Sequence, residues 1–203
     1  MDLTALIART RKVVDDPDIT DAEIVVLLNE ASLVVADLVR LPSLAVGSGS
    51  VTTDSAGYSV AMPSNYHNWA YLCNADGVQV NLRSNMEEML MLFSSTLDNV
   101  GDVTDVTVQG DLLIYQPSPA VNIQVDLFFS EEPTEFEIGT LGYSPTWLPT
   151  RFHKMLAIYA GSELWDDVET GDDEVQVNTT NQRNKFNRLV DELETFVTDR
   201  KTQ

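Results

Sequence analysis

The sequence predicts an α+β protein in which helices from both ends of the chain form a bundle around a small antiparallel β-rich insertion. Three observations support this class. A helix with clear start and stop signals follows Thr20, short apolar runs separated by turn residues fill the stretch from about Val51 to Ser130, and helical periodicity returns after Pro149. The predicted bundle comprises residues 1–44 and 146–203, and the insertion comprises residues 45–145 with one short helix.

Two helices are predicted before the insertion. The first carries a loose apolar face that begins at Leu3 and stops at Pro17. In the second, Thr20 is a natural N-cap and Glu23 completes a capping box. Because Pro42 has no backbone N–H, this second helix cannot continue beyond Leu41.

Turn residues divide the insertion. Residues 47–50, with the sequence GSGS, predict a flexible connection, and residues 54–57 predict the turn of a first hairpin. A second hairpin is expected around the Asp-Gly pair of residues 74–77, and a third around residues 109–111. Between these two hairpins, residues 84–93 predict a short capped helix.

The C-terminal third is predicted to contain two helices. Pro149 suits the first turn of the first of them, which is expected to end near Asp166. Residues 167–178 are polar and acidic and therefore predict a loop. Thr179 and Gln182 have the spacing of a capping box before the final amphipathic helix.

Composition limits the classes of function. The 203 residues carry a formal net charge of −20, which argues against binding to nucleic acid phosphates and to anionic membranes. The single cysteine, Cys73, excludes an intramolecular disulfide and a cysteine-rich zinc site. Neither a signal peptide nor a transmembrane span is predicted, so we expect a soluble protein made in the cytoplasm.

No motif for chemistry is recognisable. His67 and His153 are the only histidines and have no adjacent partner motif, and the paired acidic residues lack the spacing of a calcium loop. The sequence therefore predicts no catalytic, cofactor-binding or metal-binding residues and no enzyme. Two other classes stay open, a hydrolase or carbohydrate-binding module based on paired carboxylates, and a bacterial regulatory binding module.

Four short patterns follow one another in a set order. They are the capped helix with its Asn29-Glu30-Ala31 segment, a Tyr-to-Pro turn in residues 58–66, a strand followed by two prolines in residues 110–119, and a Leu-Pro-Thr-Arg-Phe-His helix start in residues 148–153. In this order and spacing, from about Ile19 to Val197, the chain resembles the head-to-tail adaptor proteins (connectors, or tail accessory proteins) of tailed bacteriophages.

The resemblance implies a structural virion protein. Its copies would form a ring of twelve, docked on the portal protein of the capsid and continued by tail tube, nozzle or fibre proteins. Double-stranded DNA would pass through the ring without specific binding, and no cofactor or membrane would be involved. The expected location is the virion neck, reached after assembly in the host cytoplasm.

The charges are polarised along the chain. Between Leu41 and Thr150 there are thirteen acidic residues and one basic residue, Arg83. We expect an acidic face along the DNA path, formed by Asp98, Asp102, Asp105 and Asp111. The alternative is that the acidity only confers solubility, or reflects a salt-loving host.

Basic residues concentrate instead in the last helix. On the adaptor interpretation they form the portal interface, and the residues assigned to it are Arg183, Lys185, Arg188, Arg200 and Lys201. The alternative is that they only form ion pairs with acidic residues of the same helix, namely Asp191, Glu192 and Glu194.

Overall fold

The computed structural model describes residues 1–14, 18–55, 57–93, 97–169 and 177–201, with the side chains of Trp69, Leu72, Val168, Arg200 and Lys201 left out. The chain forms two compact units. The helical unit comprises Met1–Leu44 and Pro133–Gln203, and the sheet unit comprises Ala45–Glu132. Whether these units are independent domains stays a prediction.

The described residues form five α-helices, two short 3-10 helices and seven β-strands. The α-helices are α1 (Leu3–Val14), α2 (Asp21–Leu38), α3 (Met86–Phe93), α4 (Lys154–Glu169) and α5 (Val177–Lys201), and the 3-10 helices are Ile138–Thr140 and Thr150–Phe152. The strands are β1 (Gly47–Thr52), β2 (Ser59–Ala61), β3 (Tyr66–Ala75), β4 (Val78–Leu82), β5 (Asp105–Gln109), β6 (Leu112–Gln116) and β7 (Gln124–Glu131).

The predicted helical bundle with a small antiparallel insertion is wrong. The fold is mixed α/β, in which the strands form one seven-stranded sheet in the order β1-β7-β3-β4-β5-β6-β2, and the two end strands approach each other so that the sheet is nearly closed. The sheet is also not wholly antiparallel, because β4 and β5 pair in parallel. Turn signals report only on strands that are neighbours in sequence, so they could not show how large this sheet is.

Two of the predicted hairpins are confirmed and one is wrong. β3 pairs with β4 and β5 pairs with β6, both antiparallel. Asp76 and Gly77, in the turn of the first pair, both have positive φ, at 49° and 77°, as a tight hairpin turn requires. β1 and β2 do not form a hairpin, because β1 pairs with β7 and β2 pairs with β6.

The glycines of β1 serve close packing. The prediction of a flexible connection at residues 47–50 is wrong, because the strand pairs with β7 from Gly47 opposite Phe129 to Thr52 opposite Gln124. A Cβ atom added at Gly47 would lie 2.7 Å from the buried ring of Phe129. Glycine is therefore needed at this position because the neighbouring side chain approaches the backbone.

The sheet encloses an apolar core. Its buried side chains are Val51, Met62, Cys73, Ala75, Val80, Val103, Val106, Leu113, Tyr115, Val125, Leu127 and Phe129. A second, smaller cluster joins α3 to β6 through Met89, Leu97 and Ile114. The predicted capped helix α3 is confirmed, because Asn85 accepts a hydrogen bond from the Glu88 N–H at 2.9 Å.

α4 is the central helix of the helical unit, and α1, α2 and α5 each pack against it. The capping box of α2 is confirmed, since Glu23 N–H donates to the Thr20 hydroxyl at 3.3 Å and Thr20 N–H donates to the Glu23 carboxylate at 2.8 Å. Gly161 allows α1 to approach α4, because an added Cβ would lie 2.5 Å from a methyl carbon of Val13.

The start of α5 differs from the prediction. Thr179 lies inside the helix, and the capping group is the carboxylate of Glu169 at the end of α4. This carboxylate accepts hydrogen bonds from the N–H groups of Asn178 at 3.0 Å and Thr179 at 3.1 Å, and from the Thr179 hydroxyl at 2.7 Å. The expected capping box of Thr179 and Gln182 is therefore wrong, because the cap comes from another helix.

Candidate functional site

The four acidic residues assigned to the DNA path occupy different environments. Asp98, Asp102 and Asp111 are exposed, whereas only 5% of Asp105 is exposed. Asp98 and Asp102 precede β5 and lie at one end of the β5–β6 hairpin, and Asp111 lies in its turn at the other end. Five strand residues separate the two ends by roughly 17 Å, so the exposed carboxylates do not form one cluster.

Asp105 is the centre of a buried polar network. The guanidinium group of Arg83 lies 2.5 Å from its Oδ1, the Thr104 hydroxyl donates to its Oδ2 at 2.7 Å, and the Asn81 amide donates to Oδ1 at 3.2 Å. Arg83 also contacts Glu88 at 3.0 Å. Hydrogen bonding to Asp105, together with the contact to Glu88, raises the pKa of Arg83 against the effect of desolvation.

The sheet unit is strongly acidic. Residues 45–132 contain eleven acidic residues, and Arg83 is their only basic residue. Because Arg83 is held by two carboxylates, its charge is already compensated within the unit. Within the described part of the sheet unit, no lysine or arginine is therefore left without a carboxylate partner that could compensate its charge.

The basic residues of α5 differ in how far they are engaged. Arg183 contacts Glu163 at 3.5 Å and Asp166 at 3.2 Å, both in α4, and Arg188 forms a pair with Glu192 one turn later at 3.1 Å. Lys185 is exposed and forms no ion pair within the described part of the chain. The side chains of Arg200 and Lys201, also assigned to the portal interface, lie outside the described residues.

A groove with an acidic rim lies beside α2 and the C-terminal end of α4. This acid-rimmed groove has a volume of about 490 Å³ and is lined by Asp18, Ile19, Glu23, Val26, Leu27, Leu164 and Asp167. Val26 is 65% exposed. Leu27, one residue later, is half-buried and also lines this groove.

A second groove lies at the other end of α4. This basic groove has a volume of about 380 Å³ and is lined by Arg151, Phe152, Lys154, Leu189, Glu192 and Thr195. The guanidinium group of Arg151 lies 3.7 Å from the centre of the Phe196 ring and 4.5 Å from that of Phe152. These ring contacts hold the Arg151 charge in the lining of the groove.

Neither groove was predicted from the sequence. The signal that was available is the distribution of charge along α4, which carries Lys154 at its N-terminal end and Asp167 near its C-terminal end. This polarity is opposite to the one that a helix dipole favours. Such an arrangement indicates that the charges serve something other than helix stability.

The family model of the SU10 adaptor protein matches residues 1–203. The chain belongs to the SU10 adaptor protein family. No curated protein matches it significantly.

The family assignment confirms the resemblance to bacteriophage adaptor proteins. The protein is a structural adaptor of a phage virion, and the family places it at the neck. SU10 adaptors are structural proteins and are not known as enzymes.

Two reactive side chains of this adaptor, those of His153 and Cys73, are buried. His153 is buried, where its Nδ1 accepts from the Met1 amino group at 2.7 Å and its Nε2 donates to the Leu148 carbonyl at 2.8 Å. Burial raises the pKa of the Cys73 thiol to about 11. Among the residues that the structure describes, no three His, Cys, Asp or Glu side chains are grouped to hold a metal, and none of the described helices is long and apolar enough to span a membrane.

Proposed function

We propose that this adaptor assembles into a ring of twelve copies that docks on the portal protein, serves as the platform for the tail and lets double-stranded DNA pass. The copy number and the partners come from the resemblance to head-to-tail adaptors. The observation that carries the proposal is the charge of the sheet unit. It contains eleven acidic residues and one basic residue, Arg83, whose charge is already paired.

A DNA passage needs walls to which DNA does not adhere. Lysine and arginine side chains near the path would neutralise phosphates and release counterions, which holds DNA in place. Carboxylates instead repel phosphates over about one Debye length, roughly 8–10 Å at ordinary salt. In this proposal Asp98, Asp102 and Asp111 contribute to the repelling surface. Asp105 is not included, because it is buried against Arg83.

The exposed side of α5 supplies the proposed portal contact. Lys185 has no ion pair within the described residues, and Arg188 is exposed beside Glu192, so both are accessible to an acidic surface. Arg200 and Lys201 extend the same basic segment in the sequence. Arg183 contributes less, because Glu163 and Asp166 already compensate its charge.

Imaging of the purified adaptor tests the ring. We expect negative-stain micrographs and mass photometry, with and without the portal protein, to show rings in at least one of the two conditions. Lys185→Glu combined with Arg188→Glu is expected to reduce co-sedimentation with the portal, while Glu135→Lys combined with Glu137→Lys serves as an exposed control in the helical unit. Particles that remain single copies even with the portal present would contradict the ring.

Lysine substitutions in the sheet unit test the DNA path. In assembled particles that carry Asp98→Lys, Asp102→Lys and Asp111→Lys, DNA ejection is expected to become slow and steeply salt-dependent, because each lysine neutralises a phosphate. Assembly should be unaffected, since all three positions are exposed. The measurement is the ejection rate as a function of salt concentration.

The control for this test changes the net charge equally at a different place. Glu135→Lys, Glu137→Lys and Glu194→Lys replace three exposed residues of the helical unit and should leave ejection unchanged. Normal ejection at low salt in the sheet-unit variant would contradict the proposed DNA path. The acidic residues of the sheet unit would then only make the protein more soluble.

A further inference from the structure

We propose that neighbouring copies of the adaptor associate head to tail, with the acid-rimmed groove of one copy receiving the basic groove of the next. The inference rests on the ring of the proposed function and identifies the two faces that form it. Both faces belong to the helical unit, and α4 contributes to each of them.

The charges at the two ends of α4 are unfavourable in a single copy. A helix dipole favours anions at the N-terminal end and cations at the C-terminal end, but α4 begins with Lys154 and carries Asp167 in its last turns. Neither Lys154 nor Asp167 forms an ion pair within the described part of the chain. A second copy that brings these two ends together would compensate both charges and both dipole ends.

The two faces are complementary in charge and separate from each other. Asp18, Glu23 and Asp167 line one groove. Arg151 and Lys154 line the other, where the carboxylate of Glu192 is paired with Arg188. Lys154 and Asp167 are thirteen residues apart, which corresponds to about 20 Å along the helix axis. One copy can therefore use both faces at once, as a head-to-tail interface requires, and such interfaces close into rings when the rotation between copies permits.

The apolar lining of the acid-rimmed groove is partly open to water. Val26 is 65% exposed, and Ile19 and Leu27 are half-buried, whereas Phe152 and Leu189 in the basic groove are already buried. Contact between the grooves would therefore remove Val26 and the exposed parts of Ile19 and Leu27 from water. Each copy carries a net charge of −20, and local pairing of opposite charges would offset the repulsion between copies.

Charge reversal on each face tests this interface in the full-length protein. One variant carries Arg151→Glu and Lys154→Glu, and the other carries Asp18→Lys and Asp167→Lys. Lys154→Glu and Asp167→Lys place the charges that the dipole of α4 favours, so both variants should keep their helical circular dichroism. Each variant alone would bring like charges together, and we expect its dissociation constant for self-association to rise about a hundredfold.

Recombination of the reversed faces makes the test specific. In an equimolar mixture of the two variants, every groove can meet a neighbour of opposite charge if the variants alternate, so assemblies with an even number of copies should return. A single chain that carries all four substitutions should also assemble. Sedimentation velocity and mass photometry, with and without the portal protein, report both results.

Val26→Asn tests the apolar part of the acid-rimmed groove without changing its charge. It should weaken association without loss of folding, because Val26 is 65% exposed. Val78→Asn, at a 68% exposed position of the sheet unit, is the matched control that should assemble normally.

Two outcomes would overturn the head-to-tail interface while leaving the ring intact. They are wild-type assembly by both reversed variants, and loss of assembly that neither the mixture nor the fourfold variant restores. Loss of assembly without recovery would mean that these grooves contact a portal or tail protein, or another surface of the adaptor. Absence of rings from the wild-type protein in every condition would instead contradict the proposed function itself.

Discussion

Leu28→Asp is expected to unfold the helical unit. Leu28 is fully buried in α2, within the core that α4 and α5 complete. An unpaired carboxylate at this position costs several kcal/mol, which is a large part of a typical stability of about 5–15 kcal/mol. Phe186→Asp should have a similar effect, because the ring of Phe186 is buried and lies 5.2 Å from that of Tyr159.

Urea unfolding followed by circular dichroism measures this effect. The matched control is Val26→Asp, two residues earlier on the same helix, which introduces the same charge at an exposed position. We expect it to change the free energy of unfolding by less than about 0.5 kcal/mol. A Leu28→Asp protein with a cooperative transition near that of the wild type would show that the core has been assigned to the wrong face of α2.

Arg83→Ala is expected to destabilise the sheet unit, because it leaves the buried carboxylate of Asp105 without its counterion. The partial exposure of Arg83 limits the loss, since water can reach the vacated position. The measurement is again the free energy of unfolding, from urea titration followed by tyrosine and tryptophan fluorescence.

Two further variants separate the buried charge from general effects of removing an arginine. Arg188→Ala removes an exposed pair with Glu192 and should cost less than about 0.5 kcal/mol. Combining Arg83→Ala with Asp105→Asn removes both charges and should recover a large part of the loss. Equal destabilisation by the single and the double variant would mean that the packing of Arg83, and not the charge of Asp105, stabilises this site.

Local signals predicted the elements whose determinants are close together in the sequence. The capping box of Thr20 and Glu23 located the start of α2 correctly, because both partners lie within one turn. The turn between β3 and β4 was equally predictable, since Asp76 and Gly77 supply the positive φ values that the hairpin needs.

The errors have their causes in contacts between distant residues. β1 pairs with β7, more than seventy residues later, and the cap of α5 comes from Glu169. Glycine at positions 47 and 49 was ambiguous, because the same residue suits a flexible linker and a strand that a large side chain approaches. The positions of Phe129 beside Gly47 and of Pro63 beside Gly49 distinguish the two.

The candidate site was predictable to a similar extent. The acidity of the middle of the chain was visible in the sequence, but the burial of Asp105 was not. It depends on the parallel pairing of β4 with β5, which places Asn81 opposite Asp105 and brings Arg83 within reach of its carboxylate. The grooves beside α4 depend on the packing of α2 and α5, which no local pattern determines.

The buried position of Cys73 makes the adaptor a convenient carrier of chemical labels. Its side chain lies inside the sheet, and with a pKa of about 11 the thiol is almost entirely protonated at neutral pH. Maleimide reagents should therefore leave the folded wild-type chain unmodified, so that a cysteine introduced on any chosen surface becomes the one site that carries a fluorophore. Pairs of such fluorophores would allow the spacing and order of copies in a phage neck to be followed by energy transfer while the particle assembles.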